Sequence, residues 1–299
     1  SGQKTKVIIV STPRGMNHFY RMWHDAERKK NEYMPTEVHW SEVPGRDEAW
    51  KEQTIANTSE AQFKVEFECE FLGSVNTLIN PAKLKNLVYE NPIRKNAGLD
   101  VYEIPMKDHN YLITVDVARG LGNDYSAFIV FDITSFPYKV VAKYRNNEIK
   151  PMLFPSIIHD VANGYNKAFI LCEVNDIGDQ VASILNFDLE YENLLMCSQR
   201  GRAGQVVGAG FSGKRSQLGV RTTAAVKKLG CSNLKTLLED DKILVIDYEI
   251  ISELTTFSQK HNSFEAEEGC NDDLAMCLVL FAWLVAQDYF KEMTDNDVR

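Results

Sequence analysis

Three acidic positions, each beside an apolar run, are the side chains of this sequence best suited to chemistry. Asp116 follows YLITV, Glu173 follows AFILC, and Asp272 and Asp273 precede the long run LAMCLVLFAWLVA. A carboxylate at the tip of a buried strand is costly to desolvate unless it meets a cation, a donor or water. Three such tips together would offer hard oxygen ligands suited to Mg²⁺ or Mn²⁺. The pattern therefore predicts metal-dependent phosphodiester cleavage, with one or two ions bound.

The elements that would position these acids follow a mixed α/β order. Strands are predicted at YLITVDVA, YSAFIVFDI and YKVVAKYR, joined by tight turns as an antiparallel meander. A helix over about 151–165, the strand AFILCEV, and further alternating helices and strands follow. This order predicts a mixed sheet flanked by helices. Upstream, KVIIVSTPRG predicts a buried strand and turn, NPIRKNAGLD a surface loop, and the intervening patterns a small, mostly helical segment.

Three of the acids have alternative explanations. At the helix start, Asp272 or Asp273 could cap the first-turn amides, but capping needs only one of them. Adjacent helical residues diverge by about 100° around the axis, so the other can face the sheet. We expect Asp273 to be a metal ligand and Asp272 to be either a cap or a second ligand. Asp124, in the Gly-rich turn after Asp116, is either an Asx-turn residue or a further acid of the site.

The charge distribution indicates a nucleic-acid partner although the net charge is −9. Between residues 193 and 238 there is no Asp or Glu, and eight basic residues fall there, which leaves −17 on the rest of the chain. One basic surface on an acidic body is typical of DNA-backbone binding. The predicted DNA-binding residues are Arg200, Arg202, Lys214, Arg215, Lys227 and Lys228. The alternative for this stretch is a solvated basic hairpin.

Two other kinds of site are disfavoured by the sequence. The segment GAGFSGK over residues 208–214 matches most of a phosphate-binding loop, but Arg215 replaces the Ser or Thr that would hold Mg²⁺. The six histidines and six cysteines form no HxxxH, HExxH or CxxC pattern, so a zinc site is not expected.

The quoted motifs also carry a family resemblance. VDVARGLGND, LCEVN and EEGCNDDLAMCLVLFAWL resemble the nuclease domain of the terminase large subunit of tailed bacteriophages, of the T-even type. VIIVSTPRGMNHFYRMW is similar to the last ATPase-domain strand of that family, and AQFKVEFECEFLGSVNTLI resembles the subdomain linking motor to nuclease. The resemblance implies an ATPase-domain remnant over 1–76 and a ribonuclease H-like, resolvase/integrase-like nuclease domain over 77–299.

The resemblance also implies roles for residues and partners. Asp116, Glu173 and Asp273 would be the catalytic triad, and Ser11, Thr12 and Pro13 the coupling motif. The implied activity is cutting of concatemeric viral DNA, with portal protein and small terminase subunit as partners, in the host cytoplasm on the prohead and with no membrane. With no GxxxxGK[ST] and no acidic Walker B strand upstream of STP, the fragment is expected to lack ATPase activity.

Two functions of other classes remain open from the residues. An actin-type or sugar-kinase-type phosphotransferase or ATPase shares this kind of sheet and begins with a similar Asp-Gly turn, but it needs a second Gly-rich phosphate loop that the sequence does not show. A non-catalytic DNA clamp would use the acids only as structural caps. Cleavage by acid-to-amide variants, and ATP turnover, discriminate among the three.

Overall fold

The computed structural model describes residues 6–13, 18–71, 76–122, 124–199, 204–208 and 216–294. The chain divides into two compact units, residues 1–77 and 78–299. The smaller unit is helical, and its helices are α1 (His18–Glu27), α2 (Glu48–Asn57) and α3 (Glu60–Glu66). Capping by Asp47 and Ser59 side chains starts α2 and α3, which meet through aromatic rings such as Trp50 and Phe67, 5.2 Å apart.

The strand predicted at KVIIV is not formed in this unit. Val7, Ile8 and Val10 are 59%, 72% and 87% exposed, and residues 6–13 pair with no strand in the described part of the chain. An apolar run becomes a strand only where a neighbour satisfies its amides and carbonyls. The prediction of a buried strand was therefore wrong for this chain, because hydrophobicity indicated the strand but the described residues supply no partner.

The larger unit is built on a mixed sheet. Its strands are β1 (Arg94–Asn96), β2 (Leu99–Val101), β3 (Tyr111–Asp116), β4 (Ser126–Asp132), β5 (Tyr138–Asn146), β6 (Phe169–Cys172), β7 (Met196–Gln199), β8 (Gln205–Gly208), β9 (Ser216–Leu218), β10 (Ile243–Leu244), β11 (Phe257–Lys260) and β12 (Ser263–Ala266). Its helices are α4 (Pro81–Asn86), α5 (Phe154–Gly164), α6 (Gly178–Ser183), α7 (Ala224–Glu239), α8 (Tyr248–Thr256), α9 (Asp273–Val285) and α10 (Asp288–Thr294).

The main sheet has the order β1-β2-β5-β4-β3-β6, with β10 paired to β5. The predicted meander of β3, β4 and β5 is confirmed as antiparallel, whereas β6 runs parallel to β3. Strands β8-β7-β9 and β11-β12 form two small sheets. The hairpin β1-β2 lies where a surface loop was predicted.

The two faces of β3 meet different helices. Ile113 and Val115 join the buried cluster that also contains residues of α5 and α6. Thr114 points the other way, and its hydroxyl donates to the carbonyl of Cys277 in α9 at 2.9 Å. Successive side chains of a strand alternate between faces. Asp116, two residues after Thr114, therefore shares the face on which α9 lies, and Cys277 is about one helical turn after the first residue of α9.

Helix α9 is the central element of that face. All thirteen of its residues are buried, and α7 lies so close that a Cβ on Gly230 would be 2.5 Å from the carbonyl oxygen of Val279. The absence of a side chain at Gly230 thus permits the contact. Within the described residues, no single helix has the length and apolar composition to cross a bilayer; α9 and α10 reach them only as a pair bent by 83°.

Candidate functional site

Asp116 and Glu173 lie at the ends of two neighbouring parallel strands. The register pairs Val115 with Cys172, which places the residues that follow them side by side. The amide of Glu173 also donates to the carbonyl of Val115 at 2.9 Å, extending the ladder past the end of β6. In open α/β sheets, functional groups collect at such carboxyl ends. Both side chains are half-buried.

The carboxyl groups of these two residues contact each other directly. Burial, and then the charge of Glu173 and a hydrogen bond to it, hold the pKa of Asp116 well above its ordinary value. The carboxylates of Asp273 and Asp272 raise it further. Two carboxylates this close repel each other when both are ionised, and this repulsion favours binding of a cation. The structure therefore brings Asp116, Glu173 and Asp273 into one electrostatic cluster.

Asp273 is the first residue of α9 and the most buried acid of the cluster, at 8% exposure. Its Oδ1 accepts a hydrogen bond from the amide of Tyr125 at 3.2 Å, whereas its Oδ2 is buried with no hydrogen-bond partner among the described residues. Burial raises the pKa of Asp273 from 3.8 to about 6, opposed by the Tyr125 amide and by Arg145. An ionised carboxylate with an unpaired buried oxygen favours binding of a proton or a cation.

The other two predicted acids lie beside this cluster. Asp272 occupies the N-cap position of α9, but its side chain makes no capping bond; its Oδ2 accepts from the amide of Ala266 at 3.2 Å. The capping alternative for Asp272 is therefore wrong. Burial raises its pKa, while Lys227 opposes that rise. Asp124 is exposed, and its charge contributes to the raised pKa of Asp273.

Neighbouring polar groups hold the ends of β3 and β6 in place. The guanidinium of Arg119 donates to both carboxylate oxygens of Asp176, at 2.6 and 2.7 Å, and so joins the loops that follow the two strands. The amide group of Asn175 donates to Glu173 at 3.1 Å. Position 178 requires a glycine, because any Cβ there would lie 2.0 Å from the carbonyl oxygen of Glu173 and would clash with it.

Two buried charged residues beside Asp273 were not anticipated from the sequence. Glu253 in α8 accepts hydrogen bonds from the first-turn amides of α9, and Arg145 in β5 forms an ion pair with Glu253 at 3.0 Å. Burial raises the pKa of Glu253 to about 8, opposed first by the charge of Arg145. Arg145 is the next-to-last residue of β5, but neither residue belongs to a local motif that indicates their pairing, so only the folded contact reveals them.

A second acidic group lies elsewhere in this unit. Within the described chain, Asp100, Asp247 and Glu249 are the three acids whose ligand atoms all lie within 4.8 Å of one another. The buried ammonium of Lys143 already contacts all three, at 3.3 Å from Asp100 and 3.8 Å from Asp247. This group is therefore a buried ion-pair network whose cation is a lysine. Asp116, Glu173 and Asp273 do not form a second group of this kind among the described residues.

The predicted basic residues are only partly within the described structure. Lys227 and Lys228 lie in the first turns of α7, where Lys228 is exposed and Lys227 lies 5.7 Å from the ring of Phe257 and close enough to Asp272 to lower its pKa. The other predicted DNA-binding residues lie outside the described residues: Arg200, Arg202, Lys214 and Arg215.

The predicted coupling motif lies in the smaller unit. Ser11 and Thr12 are exposed and Pro13 is buried, and the Ser11 hydroxyl donates to the carbonyl of Thr12 at 3.0 Å. All three residues line a cavity of about 650 Å³ together with residues of α1 and of the segment 32–38. Its lining contains none of the acids of the cluster.

Comparison with known proteins gives this arrangement a context. Residues 113–293 match the family described as "Terminase RNaseH-like domain", and residues 1–86 match "Terminase large subunit, T4likevirus-type, N-terminal". The terminase large subunits of Thermus virus P23-45 and Thermus phage G20c are 23% and 22% identical, over 91% of this chain and 54% of each relative. The chain thus spans about half the length of the curated relatives it matches.

Solved structures agree on the fold. The large terminase nuclease of thermophilic phage G20c with bound cobalt superposes with a TM-score of 0.52 at 22% identity, and the same nuclease with bound magnesium gives 0.53 at 20%. Each comparison covers 70% of this chain and 97% of the nuclease. The predicted ribonuclease H-like fold is therefore confirmed. Since the two matched family regions succeed each other from residue 1 to residue 293, this chain belongs to the terminase large-subunit family.

Proposed function

We propose that this chain is a divalent-metal-dependent endonuclease that cuts concatemeric double-stranded DNA for viral genome packaging, with little sequence preference. The observation that carries the proposal is the meeting of Asp116, Glu173 and Asp273 at one end of the sheet. Burial raises the pKa of both Asp116 and Asp273; the charges of Glu173 and Asp273 raise the pKa of Asp116 further, and the charges of Asp272 and Asp124 raise that of Asp273. Such a cluster is stable as anions only when cations bind to it.

The residues present fit a hard divalent cation. Every side chain in the cluster offers carboxylate oxygens, which are the ligands that Mg²⁺ and Mn²⁺ prefer. The buried Oδ2 of Asp273 has no hydrogen-bond partner among the described residues, which leaves it free for such an ion. We assign Asp116, Glu173 and Asp273 as the ligands that matter most, with Asp272 and Asp124 as further acids.

The proposed reaction is in-line hydrolysis of a phosphodiester. When bound, Mg²⁺ or Mn²⁺ supplies an activated water and stabilises the leaving 3′ oxygen. The chain positions the ligands: Asn175 holds Glu173, and the Tyr125 amide holds Asp273. Gly120, at φ +67°, lets the turn after Asp116 lie against residue 149, which keeps this side of the site slim for a DNA backbone.

The proposed DNA contact is electrostatic. Lys227 and Lys228 lie on the helix that packs against α9, so a duplex held by them would pass near the acids. Together with Arg200, Arg202, Lys214 and Arg215, they would neutralise phosphates and bind without reading sequence. The absence of Asp and Glu from residues 193–238 supports this assignment.

The roles beyond cutting rest on the family alone. We propose that residues 1–76 are the end of an ATPase domain, with Ser11, Thr12 and Pro13 as its coupling motif, and that residues 77–299 are the nuclease domain. Portal protein and small terminase subunit are the proposed partners, in the host cytoplasm on the prohead. ATP hydrolysis is expected to require the half of the protein that the relatives have in addition.

Plasmid nicking tests the proposal. With Mg²⁺ or Mn²⁺ the wild-type chain should convert supercoiled plasmid to nicked and linear forms, and EDTA should stop it. Asp116→Asn and Glu173→Gln should each lower the rate at least about a hundredfold while DNA binding persists. Glu192→Gln, at a side chain 84% exposed, is the matched control. Cleavage at the wild-type rate by both site variants would refute the triad; binding without cutting by the wild type would favour the clamp.

The two neighbouring acids are expected to differ. Asp273→Asn should abolish cutting more completely than Asp272→Asn, because Asp273 is the more buried and has the unpaired oxygen. Single-turnover cleavage rates at saturating Mn²⁺ provide the comparison. Equal and mild losses in both variants would contradict the choice of Asp273 as the ligand.

A further inference from the structure

The first amides of helix α9 are capped by a residue of a different helix, Glu253 of α8. The first amides of a helix lack intrahelical acceptors, and the N-cap side chain ordinarily accepts from the second or third helical residue. In α9 the N-cap is Asp272, and those residues are Leu274 and Ala275. Both of their amides donate instead to one carboxylate oxygen of Glu253, at 2.7 and 2.9 Å.

This replacement changes what the two acids at the helix start can do. A capping Asp272 would direct its carboxylate onto the amides of Leu274 and Ala275. With Glu253 in that place, Asp272 accepts from the Ala266 amide and Asp273 retains one unpaired oxygen. Because Glu253 satisfies these two amides, neither Asp272 nor Asp273 is needed as their acceptor.

Arg145 holds Glu253 in position. Glu253 is 5% exposed, and a buried carboxylate is stable only when paired and hydrogen-bonded. The guanidinium of Arg145 pairs with its second oxygen at 3.0 Å and lies 3.8 Å from the ring centre of Tyr125. The amide of Tyr125 in turn donates to Asp273. Arg145 thus fixes both the capping acid and the residue that orients Asp273.

We propose that Glu253, fixed by Arg145, is a positioning residue: it caps α9 in place of Asp272 and so keeps both helix-start acids available to the metal. The inference rests on the proposed function. It adds to that function a residue whose Oε2 accepts from two amides and whose Oε1 forms an ion pair with Arg145 at 3.0 Å, although Oε1 has no hydrogen-bond partner among the described residues.

Metal affinity is the first test. Mn²⁺ binding to the full chain is measured by calorimetry for the wild type, Glu253→Ala, Glu253→Gln and the control Glu192→Ala. Glu253→Ala should raise the Mn²⁺ dissociation constant at least about tenfold, because Asp272 then turns onto the vacated amides. Glu253→Gln keeps an acceptor oxygen and should stay within about threefold of the wild type. Wild-type affinity in the Ala variant, or equal losses in Ala and Gln, would overturn the inference.

A metal-free double-mutant cycle is the second test. Asp272→Ala is made in the wild type and in Glu253→Gln and Glu253→Ala, and thermal midpoints are measured in EDTA. We expect Asp272→Ala to leave the midpoint almost unchanged where Glu253 or Gln is present, and to lower it clearly where position 253 is Ala. If Glu253→Ala does not fold, Arg145→Met replaces it, since that change frees Glu253 from its anchor. No coupling in the cycle would refute the inference.

The two tests separate this inference from the proposed function. A wild-type chain that binds no Mn²⁺ would refute the metal site, while the cycle in EDTA would still decide whether Glu253 replaces Asp272 as the cap. A wild-type chain that binds Mn²⁺ and cuts DNA, with Glu253→Ala unchanged in both tests, would refute the positioning role alone.

Discussion

Removing the charge of Asp273 should stabilise the metal-free protein while destroying its site. Asp273 is 8% exposed, and burial raises its pKa from 3.8 to about 6. The ionised carboxylate is therefore a cost of folding, which the wild type bears when no cation is bound. In Asp273→Asn the amide oxygen can still accept from Tyr125, but the charge is gone.

The size of the effect follows from the pKa. A rise from 3.8 to about 6 corresponds to about 3 kcal/mol of lost stability once the group is fully ionised. We therefore expect Asp273→Asn to raise the free energy of unfolding by about 3 kcal/mol at a pH above the folded pKa.

Because the pKa of Asp273 is raised on folding, the stability difference between the two proteins depends on pH. A carboxyl group whose folded pKa is raised costs nothing below its unfolded pKa, and the full cost is present above its folded pKa. The wild type should therefore lose stability relative to Asp273→Asn as pH rises from about 4 to about 7, with roughly half of the difference present at about pH 5.

Urea denaturation in EDTA, followed by circular dichroism at about pH 5 and about pH 8, measures this difference. Hydrogen exchange of the α9 amides locates it in the helix. Saturating Mg²⁺ should reverse the order of the two proteins, because it stabilises only the intact site. A variant less stable than the wild type at about pH 8 in EDTA, with no pH dependence of the difference, would refute the reasoning.

Two further predictions concern the DNA contact and the strand end. Charge reversal at Lys214 and Arg215 should weaken DNA binding and flatten its dependence on salt, measured by fluorescence anisotropy across a salt series; unchanged affinity at low salt would show that this stretch is a bystander. Gly178→Ala should cost about 3 kcal/mol or more and lower Mn²⁺ affinity, because its Cβ would lie 2.0 Å from the Glu173 carbonyl. Denaturation and calorimetry check it, and wild-type values in both would contradict the packing.

The sequence predicted the sheet and the meeting of its acids for an identifiable reason. Asp116 and Glu173 end apolar runs, and the carboxyl ends of parallel neighbours lie at the same edge. Asp273 opens an apolar helix, and the alternation along β3 brings that helix to the face of Asp116. Each of these inferences uses only local pattern and a general rule of topology. The roles of the three acids stay predictions.

The part of the site that could not be predicted from the sequence is formed by contacts between residues far apart in the chain. Glu253 lies within an amphipathic helix, 21 residues before the first amide it caps, and Arg145 lies on another strand. Neither has a local signal, because their partners are chosen by the packing of α8 and β5 against α9. The apolar run at residues 7–10 is the opposite case. Its local pattern strongly predicts a buried strand, but no neighbouring strand pairs with it in the described chain.

The close approach of α7 and α9 at Gly230 has a consequence for where a duplex would be cut. Lys227 and Asp273 belong to α7 and α9, whose backbones approach closely at Gly230 and Val279. If Lys227 binds one phosphate while water is activated at the acids to hydrolyse another, the distance between the two phosphates is set by the packing of these helices. The broken bond would then lie a constant number of nucleotides from the bound phosphate, whatever the bases in between.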